Sequence, residues 1–346
     1  MGCVRSWAPA FAGVTAGGEG RRRCSPTADC IPHKFGMAPP TAHGYHQTRQ
    51  GRGIMQISDN MRGALYMCIA MAAFTLNDTS IKAATQVMPL FQAITLRGVL
   101  TIIGLGAMGV ATRSLWPKLN RADAVALAVR SAAEVGGTVL FLAALVHMPL
   151  ANISAILQSL PLAVTLAAAL VFGDKIGWRR MLAILAGFIG VLIIIRPGGE
   201  GFDRWSLMAV ASVVCVVVRD LATRRLSKAV PSVTVAVCAA VSVTTMGLVG
   251  SLWQPWVPVD GYGAFTIIAA ASALIVGYMF VVMVMRVGEI SFVAPFRYVS
   301  LLVAIVMGWL VFNTFPDFYT LVGSAIVVAS GIFTFMRERK LGRIAV

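Results

Sequence analysis

Residues 77–89 read NDTSIKAATQVMP and residues 219–231 read RDLATRRLSKAVP, each following a long apolar run. Set side by side at an offset of 142, Asp78, Lys82 and Pro89 fall on Asp220, Arg224 and Pro231 without a gap. An acid, a base four residues on and a proline seven beyond that are poorly explained by chance in a chain with 14 acidic residues. The register continues at an offset of 140 once the second loop is passed. There Gly137 meets Gly277, and LVFGDKIGWRRMLA at 170–183 meets LVFNTFPDFYTLVG at 310–323. The chain reads as the duplication of one unit.

What that unit is follows from its apolar runs. The 346 residues are 58% hydrophobic and 12% charged, with a mean hydropathy of +0.80. A soluble globular domain carries about 25% charged residues, so this composition belongs to an integral membrane protein. A hydrocarbon layer about 30 Å thick needs about 20 apolar residues per helix at 1.5 Å of rise. Ten such stretches lie near 62–82, 91–111, 123–146, 150–172, 179–195, 205–223, 231–252, 263–285, 291–312 and 317–336. Pro89, Pro149 and Pro231 stand at helix entrances, where a missing N–H costs nothing. Each unit then holds five helices, and because five is odd the second enters the bilayer from the opposite side. The predicted fold is all-α and integral to the membrane: ten transmembrane helices in two inverted five-helix repeats, 61–200 and 201–340. Inverted repeats are an architecture of secondary transporters.

The formal charge of +15 is explained by topology. With the N-terminal tail placed in the cytoplasm, the inside loops and C-terminus carry fourteen Lys and Arg residues, and the outside loops carry three, Lys82, Arg196 and Arg204. That positive-inside bias predicts a multi-pass protein of the bacterial inner membrane with both termini cytoplasmic. It also removes the reason to invoke nucleic acid as a partner.

Residues 1–60 are rich in Gly, Pro, Arg and His, lack apolar periodicity and are expected to be a disordered basic tail. MGCVRS fits an N-myristoylation pattern with Cys3 behind it, although a lipid adds little to ten spans. RRR interrupts any secretory signal. WAPAFAGVTAG resembles the translation of a proteobacterial intergenic repeat, which points to Met55 or Met61 as the start. Cys3, Cys24 and Cys30 lie in this tail, and Cys68, Cys215 and Cys238 stand alone in apolar helices, so neither a metal site nor a disulfide framework is indicated.

Charged residues inside the spans are the candidate site. Asp78 lies about 22 Å along its helix from the cytoplasmic start and Asp220 similarly deep from the outer start, which puts them in opposite halves of the membrane. A lone charge there costs at least about 2.5–3.5 kcal/mol, so each needs a partner or water. Two readings are open. Asp78 can pair locally with Lys82 at i,i+4, as Asp220 can with Arg224, or the two pairs can gate a central path from its two ends. Glu134, in RSAAEVGGTVLF, is the acid nearest the bilayer middle, with Arg130 one turn away as its obvious partner. Arg97, Arg219 and Arg297 are the deep cations, and Tyr278 and Tyr298 offer aromatic faces that suit a planar or anionic organic solute. Gln158 is read as path lining and Asn152 as a helix cap.

Several motifs are decoys. GLGAMG at 104–109 fits a dinucleotide fingerprint but lies in an unbroken apolar helix, where it reads as close helix packing. A P-loop, HExxH and GxSxG are all absent from the sequence, and His147 is the one histidine outside the tail. ATP hydrolysis, membrane proteolysis and His-dependent acyl transfer are thereby left without their residues.

The early polar NDTSIK, then PLFQAITLRG, SLPLAVTLAAALVFGDKI and FVAPFRYVSLLVAIVMGWLVF followed by PD occur in an order that resembles the EamA family of the drug/metabolite transporter superfamily, from Arg62 to about Arg339. The resemblance implies a ten-helix fold with a substrate path between the repeats and no bound cofactor. The family has Gly-Glu after its fourth and ninth helices, whereas this chain has Gly173-Asp174 and Asn313-Thr314. That departure favours a helix-capping role for the acid, with Asp317 taking it over at the last helix. NDTSIK and APFRYVSLL look most like members assigned to uptake of S-adenosylmethionine or riboflavin. The expected function is secondary transport of a small organic metabolite by alternating access, with a small-molecule substrate and membrane lipid as partners and a homodimer compatible with the fold. The competing classes are an integral-membrane enzyme acting on lipids, which needs a water-accessible catalytic triad at the headgroups, and a non-transporting scaffold or sensor, which needs a closed apolar cavity.

Overall fold

The computed structural model describes residues 59–111, 119–173, 177–197, 203–227, 230–287 and 290–340. The expectations for the N-terminal tail and for Asp174 lie outside them. Among the described residues the chain is helical, without strands, and ten spans are long and apolar enough to cross a bilayer. Spans one to three are single helices, α1 (Asp59–Ala84), α2 (Leu90–Ala111) and α3 (Arg121–His147). The fourth is split into α4 (Leu150–Leu157) and α5 (Leu160–Phe172), and the fifth is α6 (Trp178–Ile195). The second half repeats this order with α7 (Arg204–Arg224), α8 (Ser232–Gly250) and α9 (Gly261–Val287). Its ninth span is α10 (Ile290–Val293), a 3-10 turn (Ala294–Tyr298) and α11 (Val299–Phe312), and α12 (Phe318–Lys340) closes the chain.

Local chemistry sets the ends of these helices. Asn120 Oδ1 accepts the Asp123 N–H at 2.7 Å to start α3, and Asp260 Oδ1 accepts the Gly263 N–H at 2.7 Å to start α9. The two caps are 140 residues apart, the repeat offset. Asp317 caps α12 by accepting the Thr320 N–H at 3.1 Å, as its sequence position predicts, and also pairs with Arg196. Gly173 and Asn313, equivalent by the same offset, close α5 and α11 in the left-handed conformation with φ of 72° and 50°. Glycine and asparagine tolerate that conformation best, which accounts for Asn at 313. Thr314 completes the closure through an N–H to Gly308 O bond of 3.0 Å, so no carboxylate is needed there. The expectation for Asn152 is corrected. Pro149 occupies the N-cap of α4 without a side-chain bond, and Asn152 sits inside the first turn with its Oδ1 buried and unpartnered.

Apolar burial drives little helix association in lipid, and close approach through small residues does the work instead. The most extensive packings join the two halves: α1 on α9, α3 on α7, α2 on α8 and α6 on α12. Exchanging the halves maps this set onto itself. A methyl group added to Gly137 on α3 would lie 3.5 Å from Val216 on α7, and one added to Gly277 on α9 would lie 2.7 Å from the Phe74 ring on α1. Gly137 and Gly277 are 140 residues apart, and Phe74 and Val216 are 142 apart, so the contacts follow the sequence repeat. The α6–α12 crossing brings backbone against backbone, because a Cβ at Gly190 would stand 2.8 Å from Gly323 O. Gly104 of GLGAMG lies against Ile275 of α9, a packing contact as expected, whereas Gly106 faces open space. Ile81, Ile94, Leu145, Ile153 and Ile156 form the centre of the buried core around the first half's helices.

Candidate functional site

Polar residues of seven spans converge around the two pairs α1–α9 and α3–α7. On α1, Asn77 donates from Nδ2 to Asp78 Oδ1 at 2.9 Å, and Arg97 of α2 donates from Nη1 to Asn77 Oδ1 at 3.3 Å. Asn77 and Arg97 are both buried, 4% and 7% exposed, and the three groups bond one another away from lipid, while Arg97 Nε stays buried without a partner among the described residues. The second cluster crosses between halves. Glu134 on α3 receives Arg130 Nη2 at 3.4 Å on one carboxylate oxygen and Arg219 Nη1 from α7 at 3.3 Å on the other. Arg219 also holds Asp220 Oδ1 at 2.9 Å through Nε, and Arg130 Nε donates to Thr223 Oγ1 at 3.1 Å. The result is a continuous chain of alternating charge, Arg130, Glu134, Arg219 and Asp220, running from the first half into the second.

The repeat is visible at atomic level. Each aspartate is held by the residue just before it, Asp78 by Asn77 and Asp220 by Arg219, and these pairs are equivalent at the offset of 142. The local i,i+4 pairing does not form at the first of them. Among the described residues Lys82 makes no ion pair with Asp78. Its Nζ donates to Leu145 O at 2.5 Å and to Met148 O, and stands 5.4 Å from the Phe312 ring centroid. Carbonyls exposed at the end of α3 satisfy the ammonium better than a carboxylate one turn back that already has a partner. Arg224 lies 5.0 Å from the Phe172 ring centroid. Phe312 and Phe172 are again equivalent, so the base of each half's first helix covers the phenylalanine ending the other half's fourth.

The interrupted spans supply the remaining groups. Gln158 sits at the break between α4 and α5 and donates from Nε2 to Ser300 Oγ at 2.6 Å, just past the break that ends at Tyr298. Ser300 Oγ donates to Arg297 O at 3.0 Å, and Thr75 of α1 donates to Ser300 O at 3.3 Å. The two breaks thus meet each other and α1. Broken helices free backbone groups where a polar solute can be held.

Of the ten sequence-predicted residues, Asp78 and Arg97 fall in the first cluster, and Glu134, Arg219 and Asp220 in the second. Tyr278 stands between them, edge-on to Phe74 at 5.7 Å and within electrostatic reach of Arg97, Arg130, Glu134 and Arg219. Arg297 is in reach of Asp220 and Arg219, and Gln158 is at the break. Two residues point elsewhere. Lys82 faces the end of α3, and the Tyr298 hydroxyl packs against Gly331 of α12 so closely that a methyl group there would collide with it. Asn77, Arg130, Thr75 and Ser300 join the site without having been among those ten. Asn77 was findable, since the repeat aligns it with Arg219.

Known transporters are among the proteins that this chain resembles. The model of the EamA-like transporter family matches residues 61–196. A riboflavin transporter of Vibrio cholerae is 31% identical over 197 residues, 55% of this chain and 63% of its own length. A riboflavin transporter of Rhizobium johnstonii is 25% identical over 292 residues, 81% of this chain and 93% of its own. An S-adenosylmethionine uptake transporter of Rickettsia conorii is 22% identical over 192 residues, 56% of this chain and 65% of its own. The match therefore spans just under two thirds of the Vibrio and Rickettsia proteins. A chain of known crystal structure shares the fold with a TM-score of 0.57 at 17% identity, covering 80% of this chain and 99% of that one. Ten spans, the order of the motifs and the matched first half lead to one assignment: a multi-pass membrane protein whose residues 61–196 are similar to the EamA-like transporter family.

Proposed function

We propose that this protein is a secondary transporter that moves a small organic metabolite across the bacterial inner membrane by alternating access of two inverted five-helix repeats, 61–200 and 201–340. The distribution of Lys and Arg supports a cytoplasmic position for both termini. The carrying observation is the charge chain Arg130–Glu134–Arg219–Asp220, which crosses from α3 to α7 and so from one repeat to the other. Four charges held in mid-membrane are costly unless they do work, and an ion-paired seam between two bodies can open and re-form as they rock. Asp78, Arg97, Gln158, Tyr278 and Arg297 line the path beside it, while Lys82 on Phe312 and Arg224 on Phe172 latch its two ends. Arg and Tyr side chains suit a planar solute rich in hydrogen-bond acceptors, and no cofactor is required. Riboflavin and S-adenosylmethionine, named for the relatives, are the first solutes to try.

Selective binding to the native state must stabilise it, by about 2.7 kcal/mol at a hundred times Kd. One member of a panel of vitamins, nucleosides, amino acids and S-adenosylmethionine is therefore expected to raise the melting temperature of the purified protein, and Glu134→Gln should abolish the rise. A panel without effect on the native protein would favour the scaffold reading.

A further inference from the structure

Away from the central charges, helices α6 and α12 are in backbone contact at Gly190 and Gly323. A groove of about 480 Å³ opens between them. Its floor is made of small residues, Ala183, Ala329 and Ser330, and its walls are Trp178, Leu182 and Phe333. Arg179 stands at its mouth, with the guanidinium carbon 5.1 Å from the Trp178 ring centroid. Among the described residues no carboxylate pairs with Arg179, in contrast to Arg130, Arg196 and Arg219. Trp178 is 68% exposed at the first turn of its helix, the position at which tryptophan marks a membrane–water interface.

An apolar slot between two spans, with a cation on an aromatic ring at one end and no carboxylate paired to it among the described residues, has the two halves of a phospholipid site. We propose that the groove between α6 and α12 holds one acidic glycerophospholipid, an acyl chain lying between Leu182 and Phe333 and the phosphate on Arg179. The slot distinguishes this lipid from the surrounding annulus, because a chain on a smooth helical face touches one helix and here it touches two. The cation supplies the choice of headgroup. A phosphodiester without a neighbouring ammonium keeps its full negative charge for Arg179, whereas in a zwitterionic lipid the headgroup amine competes. Charge complementarity thus commits the occupant to an anionic lipid, independently of which solute is transported.

The test is native mass spectrometry of the full-length protein in detergent micelles containing equal amounts of phosphatidylglycerol and phosphatidylcholine. One retained phosphatidylglycerol is expected, preferred about fivefold, the factor that one interfacial cation supplies. Arg179→Ala should remove the preference and Arg179→Lys should restore it. Ala329→Trp, which fills the groove and keeps the cation, should remove the retained lipid of either kind. Arg179 and Ala329 are exposed and lie away from the Gly190–Gly323 seam, so these changes leave the packing intact. Equal retention of the two lipids by the native protein overturns the proposal, as does undiminished preference in Arg179→Ala or in Ala329→Trp.

Discussion

Glu134 is the residue whose loss should be felt most, because it answers two guanidinium groups at 3.4 and 3.3 Å, on its own helix and on α7. Removing one partner of a buried ion pair costs about 3–5 kcal/mol, since the charges left behind are neither solvated nor matched. Glu134→Ala is accordingly expected to lower the melting temperature of the purified protein sharply. Glu134→Ala with Arg219→Ala should recover part of the loss, and a double change no more stable than Glu134→Ala alone would show that the two side chains do not share an energy. Lys82 gives a second residue-scale prediction. Exchanging the charges, Asp78→Lys with Lys82→Asp, would be harmless in a solvated i,i+4 pair worth about 0.2–0.5 kcal/mol. Here it places a carboxylate against Leu145 O, Met148 O and the face of Phe312, all of which repel it. The swapped protein should insert poorly or fail to bind solute, and normal binding by it would return Asp78 and Lys82 to a merely local role. Sequence made the deep charges visible because each is an exception in an apolar run. Their partners were visible only where spacing within one helix fixed them, as for Arg130 and Glu134. The choice of Lys82 for α3 carbonyls, and of Arg219 for Glu134, depends on how helices far apart in sequence are juxtaposed.

Among elements, the spans were legible almost to the residue, since hydropathy, prolines at entrances and capping residues report the same boundaries. The breaks at Gln158 and at 294–298 were not. Both interrupt continuous apolar runs, and hydropathy is blind to backbone hydrogen bonding. Pro161 and Pro295 are the local signals, as a proline inside a helix removes a donor and crowds the preceding turn. The packing glycines divide in the same way. Gly190 looks like any glycine in GFIG, yet an added Cβ would meet the backbone carbonyl of Gly323, which cannot move aside as a side-chain tip could. Gly190→Ala should therefore destabilise the protein by about 1–3 kcal/mol through overpacking. Gly106→Ala, with nothing near it, should be neutral or stabilising by about 0.5–1 kcal/mol from helix propensity. Thermal denaturation of the two variants in the same detergent checks the contrast, and equal effects would remove the α6–α12 seam as a tight contact.

At the scale of the whole molecule, the duplication read from 77–89 and 219–231 reappears as an exchange of contacts: caps at Asn120 and Asp260, glycines at 137 and 277, cations over Phe312 and Phe172. A structure in which each half's main contacts are with the other half is suited to two bodies rocking about a shared seam. If the two latches hold opposite ends, Phe312→Ala and Phe172→Ala should shift access in opposite directions, each by about 0.5–2 kcal/mol, the worth of one cation–π contact. Labelling of a cysteine placed at Gln158 by an impermeant reagent, from one side of sealed vesicles and then the other, reads that shift, and a change of the same sign in both variants would contradict the latch assignment. The charge chain joining the halves is proposed to lie on a transport path. Uptake of labelled solutes into proteoliposomes tests it most directly, with the native protein and Glu134→Gln reconstituted at equal density. At least one small organic solute is expected to enter above protein-free vesicles, and Glu134→Gln to lower the rate at least about tenfold, the equivalent of one lost interaction of about 1.4 kcal/mol. No uptake of any solute by the native protein, or undiminished uptake by Glu134→Gln, would contradict it.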